Sequence, residues 1–292
     1  TYTGACVSLT HVGRTQLTLC YEMPAESREV YGNARSLRMT VTLLPGDGVR
    51  MDYALTGKEE TSYLEQGNFV FPFLTESPSF RVNKLGNVLD PAVDVVRNAN
   101  HVFYAVDCFA QVRTGAEAMT MVSRDIPLLS IGFPGAFRFC GEFGGRAPVF
   151  YWNAFNNMWG TNFPQWNGGD YAFSFILFAE DGYNSYERAL TAAGEPLLLS
   201  GRLPALSGDS VGLSSNAELI SLSRDKTAWI LRLHEISGSE GEVRVTLPDR
   251  TPRSVQLCDL YDEPVEDLKS GGRQLLLPVK PYEVITLRFS FV

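Results

Sequence analysis

The stretch Ser36-Leu37-Arg38-Met39-Thr40-Val41-Thr42-Leu43-Leu44 alternates up to Leu43: Leu37, Met39, Val41 and Leu43 fall on one parity, Ser36, Arg38, Thr40 and Thr42 on the other. A period of two puts these sets on opposite faces of a strand, one toward a core and one toward water. Pro45-Gly46-Asp47-Gly48 follows at once and reads as a turn. The same pattern of β-branched and aromatic residues returns at residues 101–112, 171–179, 227–236 and 242–248, with Gly271-Gly272 as a further turn signal. The chain is therefore expected to be all-β and antiparallel. The one helix the spacing predicts covers 183–193, where Tyr186, Ala189, Leu190 and Ala193 share a face and Gly194 is placed to stop it. Pro204, Ser207, Gly208 and Asp209 interrupt the pattern near 203–212. Two β modules follow from this, 1–204 and 207–292; the first is too long for a seven-strand sandwich and the second suits a compact one.

Composition agrees with a globular chain. Of 292 residues, 45% are hydrophobic and 20% charged, enough apolar material for a buried core. The net charge of -8 leaves no basic stripe for a phosphate backbone, so nucleic acid is not an expected partner. No apolar run has the length of a membrane span, and no basic start with an apolar stretch marks a secretory signal, so no membrane partner is expected either. The chain opens on Thr1, as a processed product or a piece of something longer would. Cys6, Cys20, Cys108, Cys140 and Cys258 are odd in number and widely spaced, without a CxxC pair. They read as buried free thiols, and a reducing, cytoplasmic location fits them best.

The stretch richest in chemistry is 151–169, Tyr-Trp-Asn-Ala-Phe-Asn-Asn-Met-Trp-Gly-Thr-Asn-Phe-Pro-Gln-Trp-Asn-Gly-Gly, which holds Trp152, Trp159 and Trp166, three of the four tryptophans. Indole faces stack on the C–H faces of a pyranose while amides pair with its hydroxyls, so such a mixture suits a sugar ring. The same residues also read as core aromatics with amides capping turns between strands.

Residues 156–166, Asn-Asn-Met-Trp-Gly-Thr-Asn-Phe-Pro-Gln-Trp, followed by the strand at 171–177, resemble the C-terminal β region of glycoside hydrolase family 38, the α-mannosidases and their bacterial relatives. Three further phrases are similar and come in the same order: Gly67-Asn68-Phe69-Val70-Phe71-Pro72-Phe73, Ser123-Arg124-Asp125-Ile126-Pro127-Leu128, and a tail running from Trp229 to Leu287. The resemblance implies a galactose-mutarotase-like supersandwich followed by a smaller antiparallel β-sandwich. It also implies that zinc and a nucleophilic aspartate belong to an N-terminal catalytic barrel for which this chain has no match, so no catalytic residue, metal site or cofactor is expected here.

Glycosidases ordinarily place two carboxylates about 5–9 Å apart; Asp125, Glu142, Asp170, Glu180 and Asp181 are available, but Asp125 beside Arg124 reads as an ion pair or turn former and Glu180-Asp181-Gly182 as a turn. His11, His101 and His234 stand in no metal-binding rhythm. His101 could act as acid or base in a mutarotase-like or epimerase-like enzyme. Arg138, Glu142 and Arg146 lie in a glycine-containing loop that either leans over a neighbouring cleft or is a solvated turn, and Cys140 lacks a nearby histidine to activate it.

These readings together make the chain the non-catalytic β portion of an α-mannosidase-like hydrolase, partnered by carbohydrate and by the barrel. Carbohydrate contact is expected at Trp159, Asn157, Asn162, Trp166, Asn156 and Arg146. The rivals are a stand-alone carbohydrate-binding module, a mutarotase-like enzyme, and a purely structural module.

Overall fold

The computed structural model describes all residues except 47, 136–138, 159–164, 182–184, 195–210, 225–226, 249–250, 270 and 292. It divides into two compact units, Thr1–Leu85 with Leu89–Glu195, and Gly86–Val88 with Pro196–Val292. The boundary expected near residues 203–212 lies almost wholly outside the described residues.

From the N-terminus the elements are β1 (Ala5–Val12), β2 (Gln16–Glu22), α1 (Ala25–Tyr31), β3 (Ser36–Leu44), β4 (Gly48–Lys58), β5 (Gln66–Pro72), β6 (Ser79–Lys84), β7 (Asn87–Leu89), β8 (Tyr104–Ala105), β9 (Phe109–Thr114), β10 (Glu117–Ser123), β11 (Leu128–Ile131), β12 (Val149–Asn156), β13 (Gly169–Asp181) and α2 (Ser185–Ala193). They build a nine-stranded sheet, β1-β2-β3-β4-β13-β10-β9-β6-β7, and a four-stranded sheet, β5-β12-β11-β8. The chain is all-β apart from two short helices.

Alternation decides which side of the large sheet is dry. In β3, β4 and β13 the residues Met39, Val41, Met51, Tyr53, Leu55, Phe173, Phe175 and Leu177 belong to one core cluster with Phe69, Phe71, Phe150 and Trp152 of the facing sheet. Phe175 is fully buried at the centre. Its ring lies 5.3 Å from Phe69, 5.1 Å from Phe71, 6.0 Å from Tyr53 and 6.1 Å from Trp152, centroid to centroid. These tilted and edge-on contacts suit the ring quadrupoles and add to the area each ring removes from water. Burial pushes the Tyr53 hydroxyl up to about 12, with a smaller push from Tyr21.

Two local expectations change. The single strand read at 101–112 is two, β8 in the small sheet and β9 in the large one, because Val106, Asp107 and Cys108 carry the chain from one layer to the other. Val106, Cys108, Phe109 and Ala110 are all buried, so an apolar run on both parities here marks a crossing between sheets and not one strand. Helix α1 escaped the pattern because it is only seven residues long and buries Ser27 alone, leaving no apolar stripe to read. It stops at Gly32, whose φ of 64° is left-handed and whose Cβ, if present, would lie 2.7 Å from Glu59 O. The cysteines are free, yet only Cys108 and Cys258 are buried; Cys6 is exposed and Cys20 and Cys140 are half-buried.

In the second unit β14 (Gly212–Leu213), β15 (Ala217–Arg224), β16 (Ala228–Glu235), β17 (Gly241–Thr246), β18 (Ser254–Cys258), β19 (Pro264–Leu268), β20 (Gln274–Val279) and β21 (Val284–Ser290) form sheets ordered β14-β17-β20 and β15-β16-β21-β18-β19. Their alternating apolar residues, among them Leu231, Leu233, Val243, Val245, Leu277 and Leu287, share one core. Glu235, fully buried at the end of β16, accepts backbone N–H bonds from Ser237 (2.8 Å), Gly238 (2.9 Å) and Tyr282 (3.0 Å), so its carboxylate ties two turns together.

Phe175→Ala is expected to lower the urea-unfolding free energy by about 3–5 kcal/mol, the range for an aromatic removed from a packed core. A loss below about 1 kcal/mol would mean that the two sheets do not depend on this ring.

Candidate functional site

Strand β12 delivers the tryptophan-bearing segment, and a bulge sets its direction. The β12–β5 pairing passes from Asn153 opposite Asn68 to Phe155 opposite Gly67, leaving Ala154 without a partner. Two residues then face one, which turns the side chains that follow. Phe155 comes so close to Gly67 that a Cβ there would lie 2.4 Å from the ring, so β5 needs a glycine at this position.

Amides pin the segment from below. Asn153, 4% exposed, shares its Nδ2 hydrogens among Gly67 O (3.3 Å), Asn68 Oδ1 (3.2 Å) and Phe155 O (3.3 Å), and its Oδ1 accepts from Asn156 Nδ2 (2.6 Å). Gln66 Nε2 donates to the same Asn68 Oδ1 at 3.1 Å. Asn157, also buried, reaches back to residues 61–65. Its Oδ1 accepts from Glu65 N (2.7 Å), and its Nδ2 donates to Tyr63 O (2.7 Å) and Thr61 O (3.5 Å). Beneath this loop Lys58 Nζ is paired with Glu65 Oε2 at 2.9 Å and donates to Glu59 O at 3.0 Å. Its ammonium also sits 5.3 Å from the Phe155 ring centroid.

This places the sequence-derived residues as follows. Asn157 is consumed by backbone groups, and Asn156 is half-buried with its Nδ2 spent on Asn153. Trp166 is 55% exposed and presents its indole to solvent. Trp159 and Asn162 lie outside the described residues. Trp152 is fully buried, its Nε1 directed at Met121 Sδ (3.3 Å), and belongs to the core.

Arg146 is held apart from that group. It stacks on Phe133 (4.3 Å) and Phe143 (5.6 Å), and its Nη2 donates to His101 O (3.4 Å), Cys140 Sγ (3.3 Å) and Glu142 O (3.4 Å). This guanidinium folds the loop at residues 139–146 back onto His101. The His101 ring is buried, with Nδ1 3.0 Å from Tyr104 Oη. Desolvation lowers its pKa, and the nearby Arg146 charge lowers it further, so both disfavour the imidazolium form. Arg138, in the same loop, is outside the described residues.

Of the candidate carboxylates, Asp170 accepts from Gly57 N (2.6 Å) and Asp125 from Ser174 N (2.7 Å), both as backbone ties. Among the described residues no group of three or more His, Cys, Asp or Glu side chains could hold a metal ion. Sequence reading did not find Asn153, Lys58 or Glu65 as parts of the support. Their partners are set by the bulge and by pairings of distant strands, for which single residues give no signal.

Residues 217–287, nearly the whole smaller sandwich, match the family model described as the glycosyl hydrolases family 38 C-terminal beta sandwich domain. The second unit is therefore similar to that sandwich domain. Across 99% of its length the chain also shares the fold of an α-mannosidase from Enterococcus faecalis, with a TM-score of 0.64 at 10% identity, covering 35% of that structure. A protein of glycosyl hydrolase family 38 from the same organism gives a TM-score of 0.64 at 10% identity, over 99% of this chain and 36% of that one. This chain therefore spans about a third of the length of the family 38 structures it matches. A galactose mutarotase-like protein from Lactobacillus casei is 12% identical over 59% of this chain and 72% of that one, with a TM-score of 0.35, too low to carry an argument. No curated protein matches the chain in sequence.

Asn157→Ala strands the Glu65 N–H and the Tyr63 and Thr61 carbonyls in a half-buried loop. It is expected to cost about 1–3 kcal/mol in urea unfolding and to speed tryptic cleavage after Lys58. Wild-type stability together with wild-type protection of Lys58 would show that the amide does not hold this loop.

Proposed function

We propose that this chain is the non-catalytic β portion of an α-mannosidase-like glycoside hydrolase, bracing an N-terminal catalytic barrel of the same polypeptide and framing part of its carbohydrate site. The observation that carries the reading is the family 38 match at residues 217–287, set within a fold shared over 99% of the chain with an α-mannosidase three times its length. In this reading any zinc and the nucleophile are the barrel's, and this chain holds no cofactor. Its contribution is mechanical. The Asn153 and Asn157 amides fix both ends of the β12 exit, and Trp166, further along the chain, is offered to solvent. Trp159, Asn162 and Trp166 are the residues proposed to meet sugar, Trp166 by stacking and Asn162 by hydrogen bonds, with Asn156 and Asn157 in the support and Arg146 holding the neighbouring loop.

The free cysteines support a cytoplasmic setting, and no helix among the described residues is long and apolar enough to cross a membrane. The exposed Trp166 also favours a second reading, a carbohydrate-binding module that works alone. An independent mutarotase-like enzyme is disfavoured by His101, whose ring is buried against Tyr104.

Assayed alone with p-nitrophenyl α-mannoside in the presence of zinc, and with freshly dissolved hexoses for anomer exchange, the chain is expected to accelerate neither reaction. Turnover that His101→Ala abolishes without loss of folding would overturn this reading and make the chain an enzyme in its own right.

A further inference from the structure

The alternation that fills the core also builds the opposite face of the large sheet, and that face is hollowed. On β3, β4 and β13 the outward rows are Arg38, Ala54 and Ala172, then Thr40, Asp52 and Ser174. Two neighbouring alanines leave the floor low between longer side chains. The result is an open cleft of about 310 Å³, walled by Arg38, Arg50 and the Arg124-Asp125 turn. The turn is stitched to the floor, because Arg124 N donates to Ser174 O (3.2 Å) and Asp125 Oδ2 accepts from Ser174 N (2.7 Å).

The charges do not cancel. Three guanidinium groups and two carboxylates line the cleft. Asp52 is taken by Arg50 Nε at 2.9 Å, and Asp125 is occupied by a backbone N–H. Arg38 has neither a hydrogen bond nor an ion pair among the described residues and projects into solvent. On the floor, Ser174 Oγ is buried and finds no hydrogen-bond partner. A free guanidinium fork and an unsatisfied hydroxyl in the lining of one cleft form a donor set that lacks its acceptor, and the Ser174 hydroxyl reaches such an acceptor by rotating about its Cα–Cβ bond. The cleft offers no ring face for a pyranose, since Tyr53 and Phe173 line it only from strands whose side chains of that parity enter the core. A neutral sugar would have nothing to stack on there, whereas an oxyanion would satisfy both free groups.

We propose that this cleft is a binding site for an oxyanion, the phosphate or carboxylate group of a small ligand, gripped by the Arg38 guanidinium and hydrogen-bonded by Ser174 Oγ. Arg50 and Arg124 add field from the sides, and the two carboxylates limit the site to a single small anionic group. The site is separate from the tryptophan-bearing segment and does not depend on the hydrolase reading.

The test is a titration of the 292-residue chain, followed through the Ser174 amide and Arg38 Nε–H resonances, with inorganic phosphate, glucuronate, mannose 6-phosphate and, as a neutral control, mannose. Saturable shifts with at least one anion are expected, weakened about tenfold or more in Arg38→Gln and reduced by added sodium chloride. Tighter binding of either sugar acid than of inorganic phosphate would assign the group to an anionic sugar, and the reverse order to the free anion. Arg38 is exposed, so Arg38→Gln is expected to keep the wild-type spectrum; Ser174→Ala, which removes the unpartnered hydroxyl, should weaken the same anion. No saturable shift with any of the three anions, shifts unchanged in both variants, or equal shifts with mannose would overturn the proposal.

Discussion

The contact on which the rest of the first unit depends is the meeting of Phe175 with Phe69, Phe71 and Trp152, rings from β13 on one side and from β5 and β12 on the other. Rings of this size remove large areas from water only when the two sheets close on them together. Once Phe175 is fixed inward, parity fixes the remainder of β13: Phe173 and Leu177 enter the core, and Ala172 and Ser174 face out. Pairing of β13 with β4, and of β4 with β3, carries the same division across the sheet. One constraint therefore produces both a dry interior and a polar exterior lined by arginines.

The same core positions the tryptophan-bearing segment. Trp152 anchors β12 in the interior, and the bulge at Ala154 then swings Asn153 and Phe155 onto β5. Asn153 uses its amide on backbone and on the Asn68 and Asn156 side chains, and Asn157 on backbone at residues 61–65, where donor and acceptor from one planar group can tie two segments at once. A side chain spent in this way shapes a site without touching its ligand. Among the described residues of the segment, Asn153 and Asn157 are such a buried support, and Trp166 is exposed.

Much of this was legible in the sequence. Residues 36–44 form β3 with the bounds expected for that strand, and α2 ends at Ala193 as Gly194 suggests; it is described from Ser185, and residues 183–184 of the expected helix lie outside the described residues. Residues 101–112 misled because burial on both parities belongs equally to a strand inside a core and to a chain crossing between sheets. The asparagines illustrate the other limit. Asn157 looked like a sugar contact, since residue type alone does not show whether an amide faces water or Glu65 N–H, 92 positions away in the chain. The arginine-lined cleft was hidden for a similar reason: Arg38 stood visibly on the polar parity of its strand, but only the register of three strands brings it beside Arg50 and Arg124.

The functional reading rests on the match of residues 217–287 to the family 38 C-terminal sandwich and on a fold shared with 35% of an α-mannosidase. Its most direct test is the intact mass of the native gene product, measured by mass spectrometry or by blotting with an antibody against this region. A support for a catalytic barrel requires a product well above the 32.3 kDa of this chain, with α-mannosidase activity that follows the larger species. A native product of 32.3 kDa would contradict it and leave this chain to act by itself.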